Sequence, residues 1–272
     1  MNIHPTALIH PSLDLPPDLE VGPYAILDED VSLRAGLRIG PFCHVYPGVR
    51  LEEGVSLADG VVLGNKPQDL KYRGEKTEVH VGAGTELREY VTVNRGTGAA
   101  GRTRIGRNCL IMAYTHVAHD CAIGDGVILA NGVQMGGHVR IGAGSVISGM
   151  TGIHQFTTIG PGVFVGGNLR VDKDVPPFSK ALGDPLAWAG VNEIGLAKLG
   201  FGSDAQRAAV KNFYRLLFSN GKAAATDWVE SGKHLPSGLT ADKPFLEGIL
   251  KEFLASHARG ILMRSGAVGR ND

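Results

Sequence analysis

An aliphatic side chain recurs at every sixth position from Ile3 to Val171. Of the 29 positions this spacing marks, only Asp69, Glu75 and Ala99 depart from the set. A second phase lies four residues further on in each hexad: Ala7, Leu13, Leu19, Ala25, Val31, Leu37 and Cys43, then later Val127, Val133, Val139, Ser145 and Thr151. A six-residue period is neither the 3.6 of a helix nor the alternation of an open sheet. It predicts a parallel β-helix in which each hexad is one short strand and one corner. Three hexads, eighteen residues, close a triangular coil, and the coils stack at roughly 4.8 Å. The small and β-branched residues of the second phase suit a narrow interior. Glycine often follows the first-phase residue directly (Gly22, Gly40, Gly106, Gly124, Gly142, Gly160), which predicts corners with unusual backbone angles.

The repeat is interrupted twice, at about 64–79 and 95–103, and both times it resumes in phase. Two loops are therefore expected to leave the prism and return without disturbing the stack, and such loops commonly carry binding residues. The hexads end near Val175-Pro176-Pro177, a boundary signal. Beyond it the pattern turns helical: Ser203-Asp204-Ala205-Gln206 reads as a capping box. Val210, Phe213, Tyr214 and Leu217 follow at helical spacing, with Asn220-Gly221 as a stop. Further helices are expected after Thr226 and from Phe245 to His257, with weak order from Ala258. The expected architecture is mainly β: a prism over 1–185 and an α-helical C-terminal domain over 186–272, which could cap the open end of the prism.

Composition narrows the function. Gly contributes 39 of 272 residues, an excess that the repeat accounts for, and Lys+Arg and Asp+Glu are both 27. That balance argues against a dedicated nucleic-acid binder. No long apolar run or signal-peptide core is present, so a cytoplasmic protein without an integral membrane segment is expected. Cys43, Cys109 and Cys121 share the second inward phase, which predicts buried core thiols rather than nucleophiles or disulfides.

Four of the ten histidines fall between 116 and 154: His116, His119, His138 and His154. Eighteen-residue winding brings His119, His138 and His154 to one exposed edge on successive coils, with Gly137 and Gln155 in the same column. His119-Asp120 offers a base and an orienting carboxylate. Gly137 could lend a backbone N–H to a developing oxyanion. With no exposed Ser or Cys beside them, direct attack by a substrate hydroxyl is favoured over a covalent intermediate.

Six strings in order, Gln68-Asp69-Leu70-Lys71-Tyr72, Asn94-Arg95-Gly96-Thr97, His116-Val117-Ala118-His119-Asp120-Cys121, Gly152-Ile153-His154-Gln155-Phe156, Asp174-Val175-Pro176-Pro177 and Gly190-Val191-Asn192, make the chain resemble a family along essentially its whole length. That family is the UDP-N-acetylglucosamine O-acyltransferases that begin lipid A synthesis. The resemblance implies a left-handed coil and a homotrimer with active sites between subunits. It also implies transfer of a β-hydroxyacyl chain from acyl carrier protein to the sugar 3-hydroxyl. Neither metal nor cofactor is implied beyond the donor's phosphopantetheine arm. By the same resemblance His119 is the base, Asp120 its partner and Gly137 the oxyanion donor. Gln68, Asp69, Leu70, Lys71, His116, His138, His154, Gln155 and Asn192 would hold sugar nucleotide and pantetheine. Lys198 and Leu199 stand where the family carries arginines toward the diphosphate, and lysine keeps the charge without the fork. Gly167 would leave the acyl groove long, around 12–14 carbons by family analogy, with Leu169 able to reshape it.

Other readings remain open on sequence alone. One is acylation of a 3-amino UDP-sugar. Another is a γ-carbonic-anhydrase-like zinc enzyme using His116, His119 and His138. An N-acyltransferase or acetyl-CoA-dependent cousin on the same prism and a non-catalytic β-helix scaffold complete the set.

Overall fold

The computed structural model describes residues 1–231, 243–255 and 259–264. Its first part is a left-handed parallel β-helix of short strands in three sheets of 11, 9 and 7 strands. Strands of the first sheet, such as Leu110–Ile111, are followed by one in the second (His116–Val117) and one in the third (Ala122–Ile123). The next coil repeats the order in register: Leu110 pairs with Ile128, His116 with Gln134 and Ala122 with Arg140. The eighteen-residue winding is therefore literal.

Both inward phases fill the prism. Leu27, Leu63, Ile111 and Ile147 are sealed from solvent, as are Val127, Val133 and Val139; each large aliphatic side chain so buried contributes roughly 1.5–3 kcal/mol. Three polar members of the second phase have a shared task. Thr115 Oγ1, Ser145 Oγ and Thr151 Oγ1 donate to the carbonyls of Ala130, Gly160 and Gly166, fifteen residues on. The three cysteines do the same toward Ala58, Gly124 and Gly136. They are core donors, and burial pushes the Cys121 thiol up to about 12.

The glycine expectation needs correction. The left-handed backbone position lies two residues after those glycines, at Tyr24, Phe42, Asn108, Gly126, Gly144 and Gly162 (φ 52–68°), and at other corners non-glycine residues also fill it: Tyr90, Tyr114, Asp120, His138, Met150 and Phe156 have φ between 58 and 64°. The glycines themselves sit where coils touch. A Cβ at Gly142 would lie 2.3 Å from the Pro161 nitrogen, and one at Gly124 2.6 Å from the Ala143 nitrogen. Backbone approach between coils, not dihedral freedom, demands glycine there.

The two excursions occupy 66–77 and 95–101, slightly shorter than the spacing predicts, because the flanking strands Val62–Asn65, Glu78–Val81 and Arg102–Ile105 run longer than two residues. The C-terminal region does not begin as helix. Ser179–Leu182 extends the first sheet, and Ala187–Val191 folds back on it antiparallel. Three helices follow: α1 (Glu193–Lys198), α2 (Asp204–Ser231) and α3 (Lys243–Ala255). The capping box is present, with Ser203 N–H donating to Gln206 Oε1 (2.8 Å) and Gln206 N–H to Ser203 Oγ (3.2 Å). Gly221, with φ 80° and ψ −179°, is non-helical, so α2 is two helical segments meeting at the expected Asn220-Gly221 stop, and the second begins there and not after Thr226. His257 and Ala258 lie outside the described residues. Arg259–Arg264 pairs with the rest of the chain: Leu262 N–H donates to the Asp174 carbonyl and Trp188 N–H to the Met263 carbonyl.

Candidate active site

Asp120 ends the turn after the strand His116–Val117, at the corner joining the second sheet to the third. It takes the left-handed position (φ 60°), as do His138 (62°) and Phe156 (64°) on the next coils. His138 N–H donates to the His119 carbonyl and Phe156 N–H to the Gly137 carbonyl, both at 3.0 Å. This ladder makes 119, 137 and 155 one column. The left-handed corner then turns the Asp120 and His138 side chains toward each other.

His119 Nδ1 lies 2.8 Å from Asp120 Oδ2, and His138 Nε2 lies 3.6 Å from the same oxygen. The two imidazoles meet edge to face with centroids 5.2 Å apart, and His138 stacks on Phe156 at 4.6 Å. The His119 ring covers Gly137: a Cβ there would be 2.5 Å from His119 Cε1. The Gly137 N–H has no acceptor among the described residues.

The second excursion supplies what sequence reasoning missed. Thr97, only 7% exposed, donates its N–H to Asp120 Oδ1 (2.9 Å) and its hydroxyl to Oδ2 (2.7 Å). Thr103 Oγ1 accepts the Asp120 N–H at 2.9 Å. By count Thr97 keeps the second hexad phase, six residues after Val91 and six before Thr103, but the phase points it into the prism and not at Asp120; the available signal was that its loop interrupts the repeat and returns one coil before His119. Arg95 ties this loop to the first, donating to the carbonyls of Gly64 and Pro47, while Asn94 donates to that of Lys66. Burial by itself would raise the Asp120 carboxyl. The bonds from His119 and Thr97, with the charge of His138, outweigh it and hold the carboxyl below its ordinary value. Asp120 therefore stays an anion that fixes the His119 tautomer and leaves Nε2 for proton transfer.

The edge is not an exposed column. His119 is 9% exposed and the Asp120 side chain is sealed, because Thr97 and the neighbouring coils close over them. His116 bonds Thr92 Oγ1 through Nδ1 (2.8 Å), and its buried Nε2 is without a partner among the described residues. Burial, and then the nearby His119, push its pKa below the usual histidine value. His154 donates from Nδ1 to the Gln155 carbonyl (3.1 Å); Gln155 is exposed at the head of the column, and neither bonds to the dyad.

The remaining predicted residues are placed apart from the dyad in the single chain. Gln68, Leu70 and Lys71 project from the first excursion, with Leu70 96% exposed. Asp69 Oδ1 accepts the Lys71 N–H, shaping the loop tip. Asn192 precedes α1 and donates through Nδ2 to the Gly162 carbonyl (2.9 Å). Lys198 is exposed at the end of α1, whereas Leu199 packs over Gly144. Gly167 is exposed and Leu169 half-buried. Leu169 lines a cavity of about 610 Å³ with Met150, Arg170, Lys173 and Arg264.

One metal-capable trio exists among the described residues: His119, Asp120 and His138, with ligand atoms within 4.8 Å of one another. It is not the three-histidine set of a zinc hydratase. His116 turns one nitrogen to Thr92, and the Asp120 oxygens already accept three hydrogen bonds.

A family model described as bacterial transferase hexapeptide (six repeats) matches residues 102–137, and one described as UDP N-acetylglucosamine O-acyltransferase, domain 2, matches 174–262. An acyl-[acyl-carrier-protein]–UDP-N-acetylglucosamine O-acyltransferase of Thermodesulfovibrio yellowstonii is 37% identical over 260 residues, 95% of this chain and 98% of the relative. The protein of the same name from Azorhizobium caulinodans is 47% identical over 223 residues, 82% of each chain. The crystal structure of a UDP-N-acetylglucosamine acyltransferase from Bacteroides fragilis aligns with a TM-score of 0.86 at 34% identity, covering 96% of this chain and 99% of that one.

Proposed function

The chain belongs to the UDP-N-acetylglucosamine O-acyltransferase family, and from that premise we propose how its own residues carry the transfer from acyl carrier protein to the sugar nucleotide. The observation that carries the reading is the buried Thr97–Asp120–His119 relay set against Gly137. With Nδ1 committed to Asp120, His119 Nε2 takes the proton of the sugar 3-hydroxyl as its oxygen attacks the thioester carbonyl. The Gly137 N–H, which has no acceptor among the described residues, donates to the oxyanion. Collapse of the tetrahedral intermediate breaks the carbon–sulfur bond. The leaving thiolate takes the proton from the His119 imidazolium, giving the ester and a free pantetheine thiol. Proton removal of this kind contributes roughly 10²–10⁴-fold.

His116, with a buried nitrogen lacking a partner, contacts bound substrate, as do His138, His154 and Gln155 along the same edge. Gln68, Asp69, Leu70, Lys71, Asn192 and Lys198 complete the sugar-nucleotide and pantetheine contacts. The acyl chain runs past Gly167 and Leu169. The reaction begins lipid A assembly in the cytoplasm.

The working form in this reading is a homotrimer with sites in the clefts between prisms. Two features support it. Tyr24, Phe42, Tyr90, Tyr114 and Met150, each 54–69% exposed, form an apolar ridge on the corner between the first and second sheets, the kind of patch that marks an interface. Leu70, almost wholly exposed, lies on a loop that makes no bond to the dyad of its own chain.

The test is an assay of purified protein with UDP-N-acetylglucosamine and β-hydroxyacyl carrier proteins of graded length, with product identified by mass. His119→Ala should abolish transfer and leave circular dichroism unchanged. A variant keeping a tenth of wild-type turnover removes His119 from the base role.

A further inference from the structure

A second feature flanks the dyad on the outer face of the third sheet. There the register aligns Arg50, His80, Arg104, Ala122, Arg140 and Thr158 across successive strands. The upper part of this ladder is neutralised. Arg50 bonds Asp30 and Glu78, His80 bonds Glu78, and Arg107 beside the sheet bonds Asp125. The lower part is not. Arg102, Arg104 and Arg140 are exposed and have no carboxylate within ion-pair distance among the described residues. Arg104 and Arg140 stand two strands apart, about 10 Å.

These three arginines line a groove of about 750 Å³ between the sheet and α3. One end of the groove reaches Asp120, and Ile249 and Phe253 of α3 also line it. Its carboxylates do not balance the charge. Asp120 is sealed inside the site, Asp125 is held by Arg107, and Glu252 alone faces three guanidinia. In a chain whose formal net charge is zero, three adjacent unpaired arginines make a local positive field. Guanidinia are weakly hydrated and suit carboxylate and phosphate partners.

We propose that Arg102, Arg104 and Arg140 form the docking surface for the acidic face of the acyl carrier protein, placing the carrier on the third sheet beside the corner that holds His119. This rests on the acyl-transfer reading and adds to it where the donor sits. The donor is the one substrate that is itself a protein, and its thioester must arrive at the corner beside Asp120, which the groove reaches. Ile249, half-buried, offers apolar contact beside the charges, the mixed character of a protein interface rather than of a free-anion site.

The test is steady-state kinetics of Arg102→Glu/Arg140→Glu with acyl carrier protein as donor, compared with the same acyl group on free phosphopantetheine. Steering and rim charges act mainly on association. The KM for acyl carrier protein should rise at least about tenfold, kcat and the KM for the sugar nucleotide should hold, and the salt dependence of kcat/KM should flatten. Turnover of the carrier-free donor should not change. Arg38→Glu, on the first sheet, is the control and should leave all parameters at wild type. An unchanged KM for the carrier overturns the docking proposal. An equal loss with both donors overturns it too, since the arginines would then hold the pantetheine phosphate or the fold. No transfer by the wild-type protein from any carrier would instead refute the acyl-transfer reading itself.

Discussion

Replacing Gly137 by alanine tests the geometry of the site most sharply. The added Cβ would sit 2.5 Å from His119 Cε1, 2.6 Å from Nε2 and 3.1 Å from Nδ1. Carbon atoms in contact prefer about 3.5–4.0 Å, so the imidazole must retreat by about 1 Å. Gly137 has no left-handed φ, so backbone strain does not enter; the effect is a collision with one ring. That ring is held at 2.8 Å by Asp120, and moving it strains or breaks this bond. A misplacement of about 1 Å can cost about 10²-fold in rate. The kcat of Gly137→Ala should therefore fall by about two orders of magnitude. The thermal midpoint should move by only a few degrees, since about 1 kcal/mol shifts a chain of this size by roughly 2–4 °C. Two neighbours calibrate the result. At Gly136 a Cβ would meet the Gln155 backbone nitrogen at 2.7 Å, so alanine there should lower stability first; at Gly152 nothing lies within 4 Å and alanine should be silent. If Gly137→Ala turns over at more than a tenth of wild type with the dyad bond intact, the packing of His119 on Gly137 does not govern catalysis.

Three further outcomes follow from the same geometry. Thr97→Val keeps the shape but removes one hydrogen bond to the buried Asp120 carboxylate; at roughly 1.5–3 kcal/mol for a bond to a charged group, kcat should drop about 10–100-fold. Thr97→Ser should restore most of it, and equal activity of Val and wild type would dismiss the relay. His116 has a depressed pKa in the folded chain, so the unfolded chain takes up the proton first. Its stability contribution is complete above the ordinary value of 6.5 and is lost as pH falls below it. The drop in thermal midpoint between pH 7.5 and pH 5.5 should shrink in His116→Gln; an identical drop in both proteins contradicts the buried, neutral ring. Cys121 is 1% exposed with its thiol raised to about 12. Native protein should resist iodoacetamide at neutral pH and Cys121→Ser should retain activity, whereas rapid inactivation by alkylation would show the thiol accessible.

Much of the molecule was legible because a stacked coil converts sequence distance into spatial distance. Once the six-residue period is seen, Asp120, His138 and Phe156 must share a corner, and Gly137 must lie one coil beyond His119. What the period could not convey was side-chain direction. The hexad placed His119 on an edge but not under Thr97, since Thr97, though in step with the second phase, sits on an excursion that leaves the prism. It also misassigned the recurrent glycine: Gly142 is required by the Pro161 backbone above it, a contact between coils, while the left-handed angle fell on residues such as Tyr114 and Met150. Beyond Pro177 the periodicity gives out. The antiparallel return of Ala187–Val191 and the pairing of Leu262 with Asp174 depend on contacts across long stretches of chain, so local pattern pointed to helix and weak order instead.

The two excursions leave the prism and re-enter it at the same phase, which separates two properties of the enzyme that most folds bind together. Residues could be added to or removed from the tip between Lys66 and Lys76 without rotating a single rung, so the imidazole column would keep its geometry. Under the proposed function, acceptor preference can then diverge among descendants of such a scaffold by trading loop tips, while the proton-transfer apparatus is inherited unchanged.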